Sequence, residues 1–158
     1  MQTHEFGRGV NCHGSQEKMV KKEKPKIIFT VGKRKNSIAR AKVSAGTGRI
    51  SINSKPLEVW GSEFSRMRVK EPLMLAGDLP KKVNISVNVR SGGTTGQTEA
   101  VRMAIARGLV DFSKDKNLRQ RFIDYDRNLM VFDFRRNEPH KPGASKRGAR
   151  RHKQRSKR

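Results

Sequence analysis

The run Arg90-Ser91-Gly92-Gly93-Thr94-Thr95-Gly96-Gln97 is the nearest this sequence comes to a chemical signature. A glycine-rich loop that enters a helix offers free N–H groups and the positive end of the helix dipole to an anion. Two nucleotide-binding readings fail on spacing. No Lys-Ser/Thr pair follows the last glycine, as a P-loop requires, and the glycines do not match the dinucleotide fingerprint. What remains is either a simple tight turn or a loop that lets a nucleic-acid backbone come close. The second is preferred because of the charge around it, which makes Arg90, Gly92 and Gly93 binding candidates.

A second cluster lies upstream. Lys33, Arg34 and Lys35 precede a strand on which Arg40 and Lys42 share one side. Five cations on a rigid element suit phosphate oxygens, which position a protein on nucleic acid without reading its sequence. The third cluster is the C-terminus. Residues 135–158 hold eleven Lys/Arg (Arg135, Arg136, Lys141, Lys146, Arg147, Arg150, Arg151, Lys153, Arg155, Lys157 and Arg158) against the single acid Glu138. Such a block has nothing to bury and is expected to be unfolded alone, ordering on contact with a polyanion. Pro139, Pro142, Gly143 and Gly148 disfavour helix there, so the tail reads as extended, with a reach of about 80 Å.

Constellations for catalysis are sparse. Cys12, His13 and His4 lack the second cysteine pair of a zinc site, and no metal or cofactor is expected. Asp124 and Asp126 are flanked by Arg121 and Arg127, which reads as solvated ion pairs at a helix end. No nucleophile stands beside a base. An ATP-dependent small-molecule kinase would need acidic metal ligands near the glycine loop, and residues 83–111 offer only Glu99 and Asp111. A free RNA chaperone or DNA-compacting protein is the other alternative.

Composition supports the nucleic-acid reading. The chain has 158 residues, 37 Lys+Arg against 14 Asp+Glu, and a formal net charge of +23. That excess attracts polyanions. Aromatic residues make up only 6%, and Trp60 and Phe64 sit at core spacing. Binding through backbone and shape is therefore expected, not base stacking. One cysteine allows no internal disulfide and fits a reducing, cytoplasmic setting. No run approaches the ~18 apolar residues of a membrane span, and no membrane partner is expected.

These side chains need a scaffold, and the apolar pattern predicts one over 27–134, between a polar arm at 1–26 and the basic tail at 135–158. Ile27, Ile28, Phe29 and Val31 form a short β run ending at Gly32. Ala39, Ala41, Val43 and Ala45 alternate with polar residues as a half-buried strand. Gly46-Thr47-Gly48 is expected to turn the chain back into Arg49–Asn53 as its hairpin partner. Pro56 suits a first helical turn. Leu57, Trp60, Phe64 and Met67 would form one apolar helix face, divided at Gly61 and ended by Pro72. Val83, Ile85, Val87 and Val89 make the strongest strand. A helix then starts at Thr94 or Thr95, with Thr94 and Gln97 as a capping box and Ala100, Val101, Ala104, Ile105 and Leu109 as its buried stripe. A second helix around Asn117–Asp126 buries Leu118 and Phe122, and Leu129–Phe132 is the last apolar run. The pattern is α/β in two layers, sheet and helices.

Several of these stretches, in register, resemble the universal small-subunit ribosomal protein S-nine family. They are Gly32–Ala41, Gly48–Asn53, Pro56-Leu57, Glu71-Pro72-Leu73, the Gly92-Gly93-x-x-Gly96-Gln97 loop, Ile105–Leu109 and the terminal Ser156-Lys157-Arg158. Tyr125-Asp126-Arg127 and Arg135–Pro142 look like the archaeal branch, while the Ser-Lys-Arg ending is closer to the bacterial form. The resemblance implies a two-layer domain like the second domain of the small-subunit S-five protein. It implies a cytoplasmic, ribosomal location, with contacts to small-subunit rRNA in the subunit head and to neighbouring head proteins. It also implies that the tail, through Lys153, Arg155, Ser156, Lys157 and Arg158, reaches the anticodon stem-loop of the peptidyl-site tRNA.

Overall fold

In the computed structural model, residues 27–135 are described. The arm at 1–26, and the tail from Arg136 to Arg158 with its candidate contacts, lie outside the described residues. The elements run in chain order as β1 (Ile27–Arg34), β2 (Ser37–Ala45), β3 (Ile50–Ile52), β4 (Lys55–Pro56), α1 (Glu63–Leu75), β5 (Val83–Arg90), α2 (Thr94–Ser113) and α3 (Lys116–Tyr125). Short 3₁₀ turns at Leu57–Val59, Leu79–Lys82 and Arg127–Leu129 complete the chain.

The five strands form one sheet in the order β1-β2-β5-β3-β4. The β1–β2 and β2–β5 pairs are antiparallel, and β3 runs parallel to β5. The expected two-layer α/β arrangement is observed. On β2 and β5 the alternation holds: Ala39, Ala41, Val43, Ile85, Val87 and Val89 are buried, while Arg40, Lys42, Ser86, Asn88 and Arg90 are exposed. α2 lies across β1, β2 and β5, and α1 and α3 pack on α2. All five residues of the expected α2 stripe are buried, as are Leu118 and Phe122 of α3.

The closest approach in this packing is between α2 and β1. A Cβ on Gly32 would lie 2.0 Å from the Ala100 carbonyl oxygen, so only glycine fits there. That requirement keeps Gly32 inside β1, which continues to Arg34 instead of ending at the glycine.

The expected β2–β3 hairpin does not form, because β5 lies between those strands. The Asn84 side chain explains the detour. Its Oδ1 accepts from the backbone N–H groups of Thr47 and Arg49, each at 3.0 Å. Gly46 N–H donates to the Lys82 carbonyl at 2.9 Å. These bonds carry the chain past the end of β5 to its far edge.

The α1 region also departs from expectation. Pro56 ends β4 and precedes the 3₁₀ turn, and α1 starts only after Gly61, whose φ is +61°. Ser62 caps α1 by accepting from Ser65 N–H. Leu57 is buried, but Phe64 and Met67 are exposed, and the helix buries Ser65, Val69 and Pro72 instead. Pro72 does not end α1. It sits in the last turn, where one missing N–H bond is a small loss against burial of its ring, and the helix runs to Leu75.

Candidate nucleic-acid interface

The binding candidates separate into two surfaces. The outer face of the sheet carries Lys33, Arg40, Lys42 and Arg90. The register makes this explicit: Lys33 lies opposite Ile38, Ile38 opposite Arg90, and Arg40 opposite Asn88. No Asp or Glu occurs on any of the five strands. Cations with no carboxylate on their own or a neighbouring strand are not neutralised within the sheet, which favours a polyanion partner.

The second surface is a cleft of about 740 Å³ lined by Lys35, Asn36, Ser37, Arg135 and the run Gly92–Gly96. Lys35 stands in the β1–β2 turn with φ +50°. Ser37 Oγ donates to the Ser91 carbonyl at 2.9 Å and ties that turn to the glycine loop. Gln97 Nε2 donates to the same carbonyl. The expected capping box is absent: Gly93 is the N-cap and α2 has no side-chain cap. The N–H groups of the first turn therefore face the cleft without a capping side chain, a favourable end for an anion. The two central glycines do different things. Gly92 has φ +72°, and a Cβ there would lie 2.0 Å from Ser37 Oγ, so it serves the fold. A Cβ on Gly93 would meet nothing within 4 Å, so the backbone at this point is open to a ligand.

Arg34 does not belong to the outward patch. It pairs with Asp133 on the helix side of the sheet, and the Asp133 side chain is only 7% exposed. The same carboxylate accepts from the Arg135 guanidinium at 3.3 Å and from its backbone N–H at 2.9 Å. Asp133 therefore clamps the start of the C-terminal segment beside the cleft. Arg107 fixes the residues just before it. Its guanidinium donates to the carbonyls of Met130 and Val31 and stacks on Phe132 at 4.0 Å. Burial pulls its pKa down. Neither residue carried a signal in one dimension, because Arg34 lies 99 positions from Asp133 and the Arg107 carbonyl partners lie 23 and 76 positions away.

Asp126 is the other correction. In place of solvated pairs with Arg121 and Arg127, it takes a 2.7 Å bond from Arg102, whose side chain is 5% exposed. Arg102 also pairs with Glu71 at 2.5 Å and Glu99 at 3.5 Å, and Glu99 pairs with Arg68 at 2.5 Å. Burial would lower the Arg102 pKa, but the carboxylates outweigh it and raise it. Glu99, one of two acids a kinase would need, is thus committed to a structural network. Among the described residues no group of His, Cys, Asp or Glu could hold a metal ion, and no helix is long and apolar enough to cross a membrane.

Comparison with known proteins finds relatives along most of the chain. The family model described as ribosomal protein S9/S16 matches residues 32–158. The small ribosomal subunit protein uS9 of Methanococcus vannielii is 42% identical over 131 residues, covering 83% of this chain and 98% of the relative. Its counterpart from a Methanococcus maripaludis strain is 41% identical over the same coverage. Members of this family are structural, non-enzymatic parts of the small subunit of the cytoplasmic ribosome, acting in translation. The chain belongs to the ribosomal protein S9/S16 family.

Proposed function

We propose that this chain is a structural component of the small-subunit head, bound to small-subunit rRNA, with its tail contacting the peptidyl-site tRNA. The carrying observation is the sheet face with four outward cations and no carboxylate on any strand. Phosphates docked there release condensed counterions, which supplies most of the affinity. The cleft at the start of α2, between Lys35 and Arg135, takes a further stretch of RNA backbone.

In this reading the chain divides into an arm at 1–26, an rRNA-binding domain at 27–134 of the S-five second-domain type, and an extended basic tail at 135–158. Arg136, Lys141, Lys146, Arg147, Arg150 and Arg151 thread between rRNA helices. Lys153, Arg155, Ser156, Lys157 and Arg158 meet the anticodon stem-loop, and other head proteins pack on the remaining surface. The Asp133 clamp supports this course, since it starts the tail beside the basic cleft.

Two changes separate the roles. Deleting Ser156–Arg158 weakens peptidyl-site tRNA binding and leaves the protein in the subunit. The double change Arg40→Gln, Lys42→Gln lowers its uptake into subunits and makes the salt dependence of rRNA binding shallower by about two counterions. Small subunits that hold tRNA equally well with and without the last three residues, across a salt series, would falsify the tail assignment.

A further inference from the structure

We propose that the open face of the sheet is a stacking platform for unpaired RNA nucleotides, with the Phe29 ring taking a base and Lys42 and Arg40 holding phosphates beside it. This deepens the rRNA-binding reading and rests on it.

The observation is a reversal in β1. On β2 and β5 the apolar side chains point inward, as a half-buried strand requires. On β1 the inward positions are Ile28, Thr30 and Gly32, while Ile27, Phe29 and Val31 point out. The inner face has no room for more, because α2 presses against it at Gly32 and accepts a hydrogen bond from Thr30 at the Ala104 carbonyl. The outward row is therefore not a core surplus. Phe29 is 75% exposed, and Val31 and Ile27 are 42% and 44% exposed.

An uncovered apolar row on an edge strand is a liability that a partner normally covers. Charge selects the partner. Phe29 lies directly opposite Lys42, and Val31 opposite Arg40. Cross-strand neighbours sit about 5 Å apart and diagonal ones about 7–8 Å. The long side chains of Lys42 and Arg40 therefore spring from positions next to the ring, within reach of a phosphate attached to a base stacked on it. Neither terminal segment suits this face by charge. Residues 1–26 carry six Lys/Arg against three acids, and 135–158 eleven against one. A nucleotide supplies both halves of the match, a flat apolar ring and an anion. A paired helix keeps its bases stacked inside, so the occupant is an unpaired stretch. The low aromatic content had argued against any stacking; a single ring, placed outward by the pleat, is enough for one base.

The test uses the full-length chain with a mixed-sequence single-stranded RNA and the same sequence as a duplex. Phe29→Ala is expected to weaken single-strand binding by roughly tenfold, within the range for one stacked base. Phe29→Tyr restores it, and duplex affinity and the salt slope stay at wild-type values. Because Phe29 is exposed, the thermal midpoint of Phe29→Ala stays close to wild type, which excludes unfolding as the cause. Equal loss on single strand and duplex, or full binding by Phe29→Leu, overturns the platform. Ultraviolet crosslinking of native small subunits gives a second readout. Nucleotide adducts on the peptide bearing Phe29 support the proposal, while crosslinks there to a protein alone overturn it. A wild-type chain that binds neither RNA form removes the rRNA-binding reading itself, a failure distinct from loss of the Phe29 effect.

Discussion

Arg102 is the residue on which the polar interior turns. It brings one guanidinium to the carboxylates of Glu71, Glu99 and Asp126, which come from α1, α2 and the segment after α3. Replacing it with an apolar side chain leaves three acids facing one another. Arg102→Met is expected to cost about 3 kcal/mol, near the lower end for a broken buried pair because the carboxylates are 20–28% exposed. The pH dependence follows from Asp126. Partial burial alone would raise its carboxyl, but the Asn128 backbone and Arg102 outweigh that and hold it below the ordinary 3.8. A depressed folded pKa gives stability that is complete above 3.8 and is lost as pH falls through the folded value. Urea unfolding should therefore show the gap between wild type and Arg102→Met narrowing as pH drops below that point. A gap that stays constant would mean the loss comes from packing and not from charge.

At the level of elements, the α2–β1 contact sets how closely helix and sheet can approach. Gly32→Ala places a methyl group against the Ala100 carbonyl and should lower stability by about 2–3 kcal/mol, measured by chemical denaturation. Gly93→Ala is the matched control. Its Cβ meets no atom within 4 Å, so stability should change by no more than about 1 kcal/mol. A measurable loss of rRNA affinity in Gly93→Ala would then report the approach of the RNA backbone to the cleft. The strands and α2 were legible in the alternation of Ala39–Val43, Val83–Val89 and Ala100–Leu109. The α1 face was not. Its 3–4–3 spacing from Leu57 to Met67 crosses Gly61, where the backbone leaves the helix and breaks the period, so Phe64 and Met67 turn outward.

Across the whole molecule, the segment from Leu129 to Arg135 is tied to the sheet and α2 by two side chains. Arg107 holds the Met130 and Val31 carbonyls together and stacks on Phe132, and Asp133 binds Arg34 and Arg135. Arg107→Ala should leave the sheet intact while amide exchange around Leu129–Phe132 rises by about an order of magnitude or more, the equivalent of losing one to two charge-assisted bonds. Exchange protected to the wild-type level would show that Phe132 and Leu129 anchor the segment without it. The anchoring places Arg135 at the lining of the cleft.

The sequence by itself determined what depends on composition and on neighbours along the chain. An excess of cations implies a polyanion partner whatever the fold, the alternation of valines implies a strand, and motifs kept in register identify the family. Tertiary structure alone decided everything that depends on pairs distant in sequence. Asn84 sends β3 to the far side of β5, Arg34 turns inward to Asp133, Arg102 gathers three acids, and the pressure of α2 on β1 leaves Phe29 outside. Local pattern records how a residue prefers to sit. Which partner it meets is set by packing of the whole chain, and the division between exposed cations and those paired inside the fold was decided there.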